Sequence, residues 1–417
     1  MHKRWTVALA AAIAGAVGVA GCGSSSSSGN NGGGSDGGGP ISIGVLAPYS
    51  GIYAVAGNPV EDGARYWLME HGNRMAGRDV DLTTADDKST TQGEVSAANN
   101  LIRQQHVSAV VGLVNSAGAL AARPTLMRGR VITLSVVANA TDLLDTKAGP
   151  YLFMLNPAAN ETAAPAAVLA QRQGWDNVVG IADNYVGART WLDPSLDAMQ
   201  RLGLRVNSRI YPPFPTSDYG PYVSKIDRSG RPGLVYPVMF GPSALGFLKA
   251  YSSFGGTAPI YTTGSMLEPT SASGDVLRAA QGAYAYWNYS PALDTPENRS
   301  FVDGFRRAFH HTPGGFEMQS YAAMGFLDAA YRRAGADASA DDLRTALQQV
   351  QVTSPVGPLR FGTEQAASWD IYLTRVGTAD DGSPALVPVG PYVRGAHPDM
   401  TTDEAQAALA ELPGAGQ

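Results

Sequence analysis

The chain has 417 residues, a formal net charge of −6 and one cysteine, Cys22. An acidic chain without clustered lysine and arginine is unsuited to bind nucleic acid, because such clusters neutralise the phosphates of nucleic acid. A single cysteine excludes an intrachain disulfide and a paired-cysteine metal site. The length exceeds what one ordinary hydrophobic core supports, so two lobes are predicted.

The N-terminus is typical of an exported protein. Lys3 and Arg4 precede an almost wholly apolar run over residues 5–19, which is shorter than the roughly 20 residues that a membrane-spanning helix needs. A basic start, a short apolar run and small residues before a cleavage point predict a signal peptide over residues 1–21. Residues 22–40 are rich in Ser and Gly, and this composition predicts a flexible tether.

Cys22 directly follows Ala20 and Gly21, and this order resembles the lipobox of bacterial lipoproteins. The resemblance implies a diacylglyceryl group on the Cys22 thiol and a cleavage that leaves Cys22 as the first residue. Two acyl chains are enough for stable membrane anchoring. We therefore expect a protein held at the outer face of the cytoplasmic membrane. The simpler alternative is an incidental cysteine behind an ordinary signal peptide.

Apolar runs of strand length alternate with amphipathic runs of helix length from residue 41 onwards. The predicted strands cover residues 41–47, 80–85, 110–114, 131–135, 178–182, 206–211, 234–239 and 260–262. The predicted helices cover residues 60–71, 95–105, 117–127, 191–202, 219–228, 243–254, 298–309, 318–333 and 340–350. Extended runs return between residues 359 and 389. This alternation predicts an α/β fold with parallel sheets.

Several short motifs occur in the order in which one protein family carries them. They are residues 43–51 (IGVLAPYSG), 85–87 (ADD), 111–113 (VGL), 183–187 (DNYVG), 296–306 (PENRSFVDGFR) and 319–323 (QSYAA). With them, residues 41–390 resemble the type I periplasmic binding proteins of ABC importers. The nearest branch is that of the leucine/isoleucine/valine-binding proteins and their aromatic-acid-binding relatives.

The resemblance implies two doubly wound parallel-sheet lobes, joined by a three-strand hinge and closing on a small-molecule ligand. We expect lobe 1 to hold residues 41–156 and 283–350, and lobe 2 to hold residues 157–282 and 351–392. Residues 393–417 are expected to form a C-terminal tail. The resemblance further implies a monomer without a cofactor, which delivers its ligand to ABC permease and ATPase subunits.

The candidate ligand-binding residues follow from the fold. In open α/β sheets a ligand binds beyond the carboxyl ends of the strands. The loops at these ends, compared with the family, give the following set: Tyr53, Asn115, Ser116, Ala117, Ala138, Asn139, Tyr185, Phe240, Ser265 and Met266. The three large aromatic residues of this set are expected to cover an apolar ligand body.

Residues 115–118 open a predicted helix directly after a strand. Asn115 or Ser116 is suited to cap this helix, and the N–H groups of its first turn form an anion site. By resemblance this place holds a ligand carboxylate, and the alternative is that Ser116 serves only as a cap. Ala138 or Asn139 stands where relatives offer a small hydroxyl and backbone groups.

The loop at Ser265 and Met266 departs from the amino-acid-binding relatives, which often place an acid there to pair the ligand ammonium. The nearest acid in this chain is Glu268. An unpaired buried ammonium is costly. This departure favours a carboxylate without an amine and leaves the amino-acid interpretation open. The predicted anion site beside the aromatic residues predicts a monocarboxylate ligand, either an apolar amino acid or an aromatic or aliphatic acid.

The sequence gives little support for catalysis. None of the six histidines lies in a metal-binding spacing, and neither a GxSxG elbow nor a phosphate-binding loop occurs. We therefore expect a transport receptor that is not an enzyme and holds no metal. A lipid-anchored sensor with the same fold is the alternative, while an anchored hydrolase is disfavoured.

Overall fold

The computed structural model describes residues 38–228, 232–267, 274–378, 382 and 384–412. The predicted signal peptide at 1–21, Cys22 and most of the predicted tether lie outside the described residues, and so does Glu268. In the described part of the chain, no helix combines the length and the apolar character needed to cross a membrane.

The first lobe is built on a six-stranded sheet. Its strands are β1 (Ile41–Ala47), β2 (Arg74–Met75), β3 (Arg78–Asp86), β4 (Ala109–Gly112), β5 (Ile132–Ser135) and β6 (Leu152–Met154). They lie in the order β2-β3-β1-β4-β5-β6, and all neighbours except β2 and β3 run parallel. The helices between them are α1 (Gly57–Glu70), α2 (Thr91–Arg103) and α3 (Ser116–Arg128). Since β1 lies between β3 and β4, the order reverses at β1 as in doubly wound folds.

The second lobe has helices α4 (Ala159–Arg172), α5 (Val186–Arg201), α6 (Gly220–Arg228), α7 (Pro242–Ser253) and α8 (Gly274–Ala279). Its strands are β7 (Asn177–Ala182), β8 (Arg205–Ile210), β9 (Leu234–Val238), β10 (Tyr261–Thr263) and β11 (Tyr284–Trp287). β7 pairs parallel with both β8 and β9, and a bridge between Val235 and Ile260 links β9 to the segment that enters β10. The side chains of β7 are buried along its whole length, as in strands covered on both faces.

The chain then returns to the first lobe. The returning elements are α9 (Pro296–Phe309), α10 (Gly315–Ala334), α11 (Ala340–Leu347), β12 (Gln351–Ser354) and β13 (Gly357–Arg360). α10 packs closely on α1. The closeness is seen at Gly63, where a Cβ atom would lie only 2.1 Å from the Glu317 carbonyl oxygen. Glycine at position 63 therefore allows the two helices to approach.

The last elements belong to the second lobe: β14 (Trp369–Thr378), β15 (Pro384–Ala396), α12 (Thr402–Ala407) and β16 (Leu409–Ala410). β14 pairs antiparallel with β11 and β15. Within the described residues the chain thus passes between the lobes three times, after β6, after β11 and after β13. The predicted fold class of two parallel-sheet α/β lobes is confirmed.

Two details differ from the predicted division of the chain. β11 pairs with β10 and β14 in the second sheet, although residues from 283 onwards were assigned to lobe 1. Within the predicted C-terminal tail, β15 runs to Ala396 and pairs with β16, so the described part of this segment adds to the second sheet. An ion pair of 3.3 Å between Arg172 and Glu411 also ties this segment to α4. The exact lobe boundaries otherwise remain a prediction.

Candidate functional site

A cavity lies between the two lobes at the carboxyl ends of their strands. The first lobe and its helix α10 supply Tyr53, Val114, Asn115, Ser116, Val137, Asn139 and Phe316. The second lobe supplies Tyr185, Gly187, Trp191, Val238, Met239, Phe240 and Ser265. About 40 Å³ of the cavity can hold the centre of a water molecule, which is more than the 10–15 Å³ that a single water needs.

The first turn of α3 forms the polar end of this cavity. Asn115 has an extended backbone conformation and is the cap, since its side-chain oxygen accepts a hydrogen bond from the Ala117 N–H at 3.1 Å. Ser116 is the first helical residue, so the alternative in which Ser116 serves only as the cap is wrong. A helix leaves its first N–H groups without intrahelical partners, and this end of α3 faces the cavity.

Ser116 and Asn139 are joined by two hydrogen bonds. The Ser116 hydroxyl donates to the Asn139 side-chain oxygen at 2.8 Å and accepts from the Asn139 backbone N–H at 3.1 Å. The Asn139 side-chain nitrogen donates in turn to the carbonyl of Gly187 at 3.2 Å. Gly187 belongs to the first turn of α5, so this chain of bonds crosses from the first lobe to the second.

Aromatic rings from both lobes meet across the cleft. The ring centre of Tyr53 lies 6.0 Å from that of Tyr185 and 5.9 Å from that of Phe240. Phe214, in the loop after β8, stacks on Tyr53 with ring planes 22° apart, and its ring centre lies 4.7 Å from that of Tyr185. Burial raises the pKa of both tyrosines well above the usual value, so each presents a neutral hydroxyl and an apolar ring.

Three of the candidate residues do not line the cavity. Asn115 and Ser116 line the cavity, but the next residue, Ala117, does not. Ala138 is fully buried, and its N–H donates to the Leu113 carbonyl at 2.8 Å. Met266 points into the core of the second lobe, where its sulfur lies 3.4 Å from the Thr262 hydroxyl oxygen. The preceding residue, Ser265, reaches the cavity instead.

Other lining residues were not among the candidates. Trp191 lies on α5 and Phe316 on α10, so both come from helices rather than from the loops directly after strands. Gly187 belongs to the 183–187 motif but has no side chain to suggest a role. Phe214 does not line the cavity but packs against Tyr53 and Tyr185, which do; it follows β8, and its position after a strand was the one signal that could have identified it.

The cavity offers dipoles rather than charges. None of the described residues that line it is Asp, Glu, Lys, Arg or His. The buried carboxyls of Asp87 and Asp183 lie close enough to Tyr53 to raise its pKa. Burial raises the pKa of each of these two carboxyls to about 6. The Tyr219 hydroxyl donates to Asp183 at 2.5 Å. Among the described residues, no cluster of three or more His, Cys, Asp or Glu side chains is suited to hold a metal ion.

Comparisons with known proteins agree with this architecture. A family model described as periplasmic binding protein matches residues 40–383. A Leu/Ile/Val-binding protein homolog 6 of Brucella melitensis is 27% identical over 353 residues, which cover 82% of this chain and 89% of that protein. The chain therefore belongs to the periplasmic binding protein family, a family of solute-binding proteins of ABC transporters rather than of enzymes.

Solved structures share the fold. An ABC transporter substrate-binding protein from Sphaerobacter thermophilus is 26% identical with a TM-score of 0.78, over 86% of this chain and 99% of that chain. A solute-binding protein of an ABC transporter from R. palustris, solved in complex with benzoate, is 22% identical with a TM-score of 0.78. This second alignment covers 87% of this chain and 98% of that chain. Both have the two-lobed α/β fold described above.

Proposed function

We propose that the protein is the substrate-binding lipoprotein of an ABC importer and captures a small carboxylate between its two closing lobes. The observation that carries this proposal is the cavity at which strand ends from both lobes converge. One end of it is the N-terminus of α3, and its wall is formed by aromatic rings from both lobes. The protein acts as a monomer that presents its closed form to permease subunits, which the ATPase subunits drive.

The lining residues favour a monocarboxylate with an apolar body. The N–H groups and the dipole of the α3 terminus suit one negative charge, and the aromatic rings suit an apolar or aromatic group. A sugar would need several side-chain amides and acids around its hydroxyl groups, and the described lining residues offer two amides and no acid. Apolar amino acids and aromatic or aliphatic acids both satisfy these conditions.

An ammonium group is harder to accommodate than a carboxylate. None of the described lining residues is an acid, and a buried ammonium without a partner is costly. Among the two ligand types, acids without an amine are therefore favoured. The names of the relatives cover both types, since one is a Leu/Ile/Val-binding protein homolog and another was solved with benzoate.

The N-terminal residues complete the proposal. Cys22 receives a lipid after the signal peptide is removed, and the Ser- and Gly-rich tether lets the binding lobes move above the membrane. The site of action is then the outer face of the cytoplasmic membrane. A sensor with the same anchor would share all of these features, and it would differ in passing its signal to a membrane partner without moving the ligand.

The proposal is tested by measuring thermal unfolding with leucine, phenylalanine, benzoate, 4-hydroxybenzoate and hexanoate, each beside its primary amide. A ligand present at 100 times its Kd, and bound only to the native state, adds about 2.7 kcal/mol to stability. We expect at least one acid to raise the unfolding temperature and its amide to have little effect, because the amide lacks the charged acceptor. Equal binding of an acid and its amide, or a neutral sugar as the only ligand, would contradict the proposal.

A further inference from the structure

Asn139 is the one candidate ligand-binding residue whose side chain bonds to both lobes in the described structure. It follows β5 in the first lobe and is 4% exposed. Its side-chain oxygen accepts from the Ser116 hydroxyl at 2.8 Å, and its side-chain nitrogen donates to the Gly187 carbonyl at 3.2 Å. Ser116 lies in the first lobe and Gly187 in the second.

The bond to Ser116 orients the carboxamide. Because a hydroxyl donates to the oxygen of the carboxamide, its NH₂ group is directed away from Ser116 and towards Gly187. The backbone of Asn139 is held as well, since its N–H donates to the Ser116 hydroxyl at 3.1 Å. The side chain is thus placed to meet the second lobe before the lobes close.

The opposite surface is shaped to receive it. A Cβ atom on Gly187 would lie 3.2 Å from the Asn139 side-chain oxygen and 3.5 Å from the Ser116 hydroxyl oxygen. The contact with the Asn139 oxygen would be tight, so the absence of a side chain at position 187 lets the first turn of α5 approach Asn139. The bond from Asn139 to the Gly187 carbonyl exists only when the lobes are this close.

We propose that Asn139 is a positioning residue whose carboxamide, oriented by Ser116, holds the closed form of the lobes by its hydrogen bond to Gly187. This inference deepens the proposed function and rests on it, because closure around a ligand is what the bond would favour. Apparent affinity scales with the fraction of protein in the binding-competent form. Asn139 therefore raises the affinity by the same factor for every ligand that the closed cavity accepts.

The test measures closure without any ligand, so its outcome does not depend on which ligand is right. Spin labels are placed at Gln104→Cys on the first lobe and Lys249→Cys on the second, both exposed, in a protein that carries Cys22→Ser. Pulsed electron spin resonance then gives the distribution of distances between the lobes. We expect a closed and an open population, and we expect Asn139→Ala to lower their ratio about two- to twelve-fold, as the loss of one neutral hydrogen bond does.

Two further variants separate this role from general damage. Asn139→Asp keeps the size and can accept from Ser116, but it cannot donate to Gly187, so it should lower the closed population at least as much. Asn99→Ala is the matched control, because the Asn99 carboxamide donates to the Val95 carbonyl of its own helix at 2.9 Å and lies away from the cleft between the lobes; it should leave the distribution unchanged.

Ligand binding gives a second readout of the same variants. In titrations with benzoate and with leucine, Asn139→Ala should raise the Kd of each compound that binds by the same factor. An unchanged closed fraction in both Asn139 variants, or a wild-type protein without a closed population, would overturn the inference. A factor that differs between ligands would also overturn it, because it would place Asn139 in direct contact with the ligand. Failure of both compounds to bind, with the distance result as expected, would count against the proposed function alone.

Discussion

Substitution of Gly187 by alanine should act as a wedge between the lobes. An added Cβ would lie 3.0 Å from the Tyr185 ring, 3.2 Å from the Asn139 side-chain oxygen and 3.5 Å from the Ser116 hydroxyl oxygen. The last two atoms belong to the opposite lobe, so the methyl group meets them only in the closed form. In the open form the substitution replaces a helical glycine by alanine, which favours the helix by roughly 0.5–1 kcal/mol.

The magnitude follows from these contacts. Of these atoms only the Asn139 oxygen, at 3.2 Å, is both tightly met and in the opposite lobe. It must move by a few tenths of an ångström on closure, and overpacking of this kind costs about 1–3 kcal/mol. Since only one methyl group is added, we expect the lower part of that range, about 1–2 kcal/mol. This corresponds to a rise in Kd of roughly 5- to 30-fold. The Tyr185 contact at 3.0 Å lies within the second lobe and is met in both forms, so it offsets part of the helical gain, and the unfolding temperature of the ligand-free protein should change little.

Isothermal titration calorimetry with the acid that binds most tightly measures the change. Gly325→Ala is the matched control, because it also lies within a helix and its Cβ would meet only the Trp67 indole nitrogen, at 3.6 Å. We expect the control to bind with the affinity of the wild-type protein. Unchanged affinity in Gly187→Ala, or a loss of affinity that merely follows a loss of thermal stability, would refute the wedge.

Three further changes test other parts of the account. Burial raises the pKa of Asp87 to about 6, as it does for Asp183, so stability should fall as the pH rises from about 4 to about 6; Asp87→Asn should make that fall smaller and add about 1–3 kcal/mol at pH 7, and a pH dependence identical to that of the wild-type protein would contradict this. Cys22→Ala should release the folded protein from membranes, whereas retention through the N-terminus would exclude lipidation. Ser116→Ala should weaken binding of the acid by about 0.5–1.5 kcal/mol in calorimetry, because the Ser116 hydroxyl donates to the Asn139 side-chain oxygen and orients that residue; unchanged affinity would contradict this.

The buried strands could be predicted well from sequence, and some helices could not. β4 and β7 are buried along their length and almost wholly apolar, because both faces of the sheets are covered. α4 has almost no exposed side chain over its first twelve residues, so it lacks the polar face that marks an amphipathic helix, and no helix was predicted there. α5 begins at Val186 instead of 191, because Tyr185 precedes it without a side-chain capping bond that would mark its start.

Some site residues could likewise be predicted from local sequence patterns, whereas others depend on how distant parts of the chain pack together. Tyr53, Tyr185, Phe240 and Ser265 follow strands, and the rule that ligands bind beyond strand ends places them at the cavity. Trp191 and Phe316 reach the cavity from helices, and their contribution depends on how these helices pack. The bond between Asn139 and Gly187 joins residues 48 positions apart in sequence, so no local pattern could predict it.

The structure of the protein with its tightest-binding acid tests the central claim most directly. We expect one oxygen of the carboxylate to lie within about 3.2 Å of N–H groups in the first turn of α3, with the apolar body against the rings of Tyr53, Tyr185 and Phe240. A carboxylate directed towards the second lobe or into solvent, or a ligand bound outside this cavity, would contradict the account.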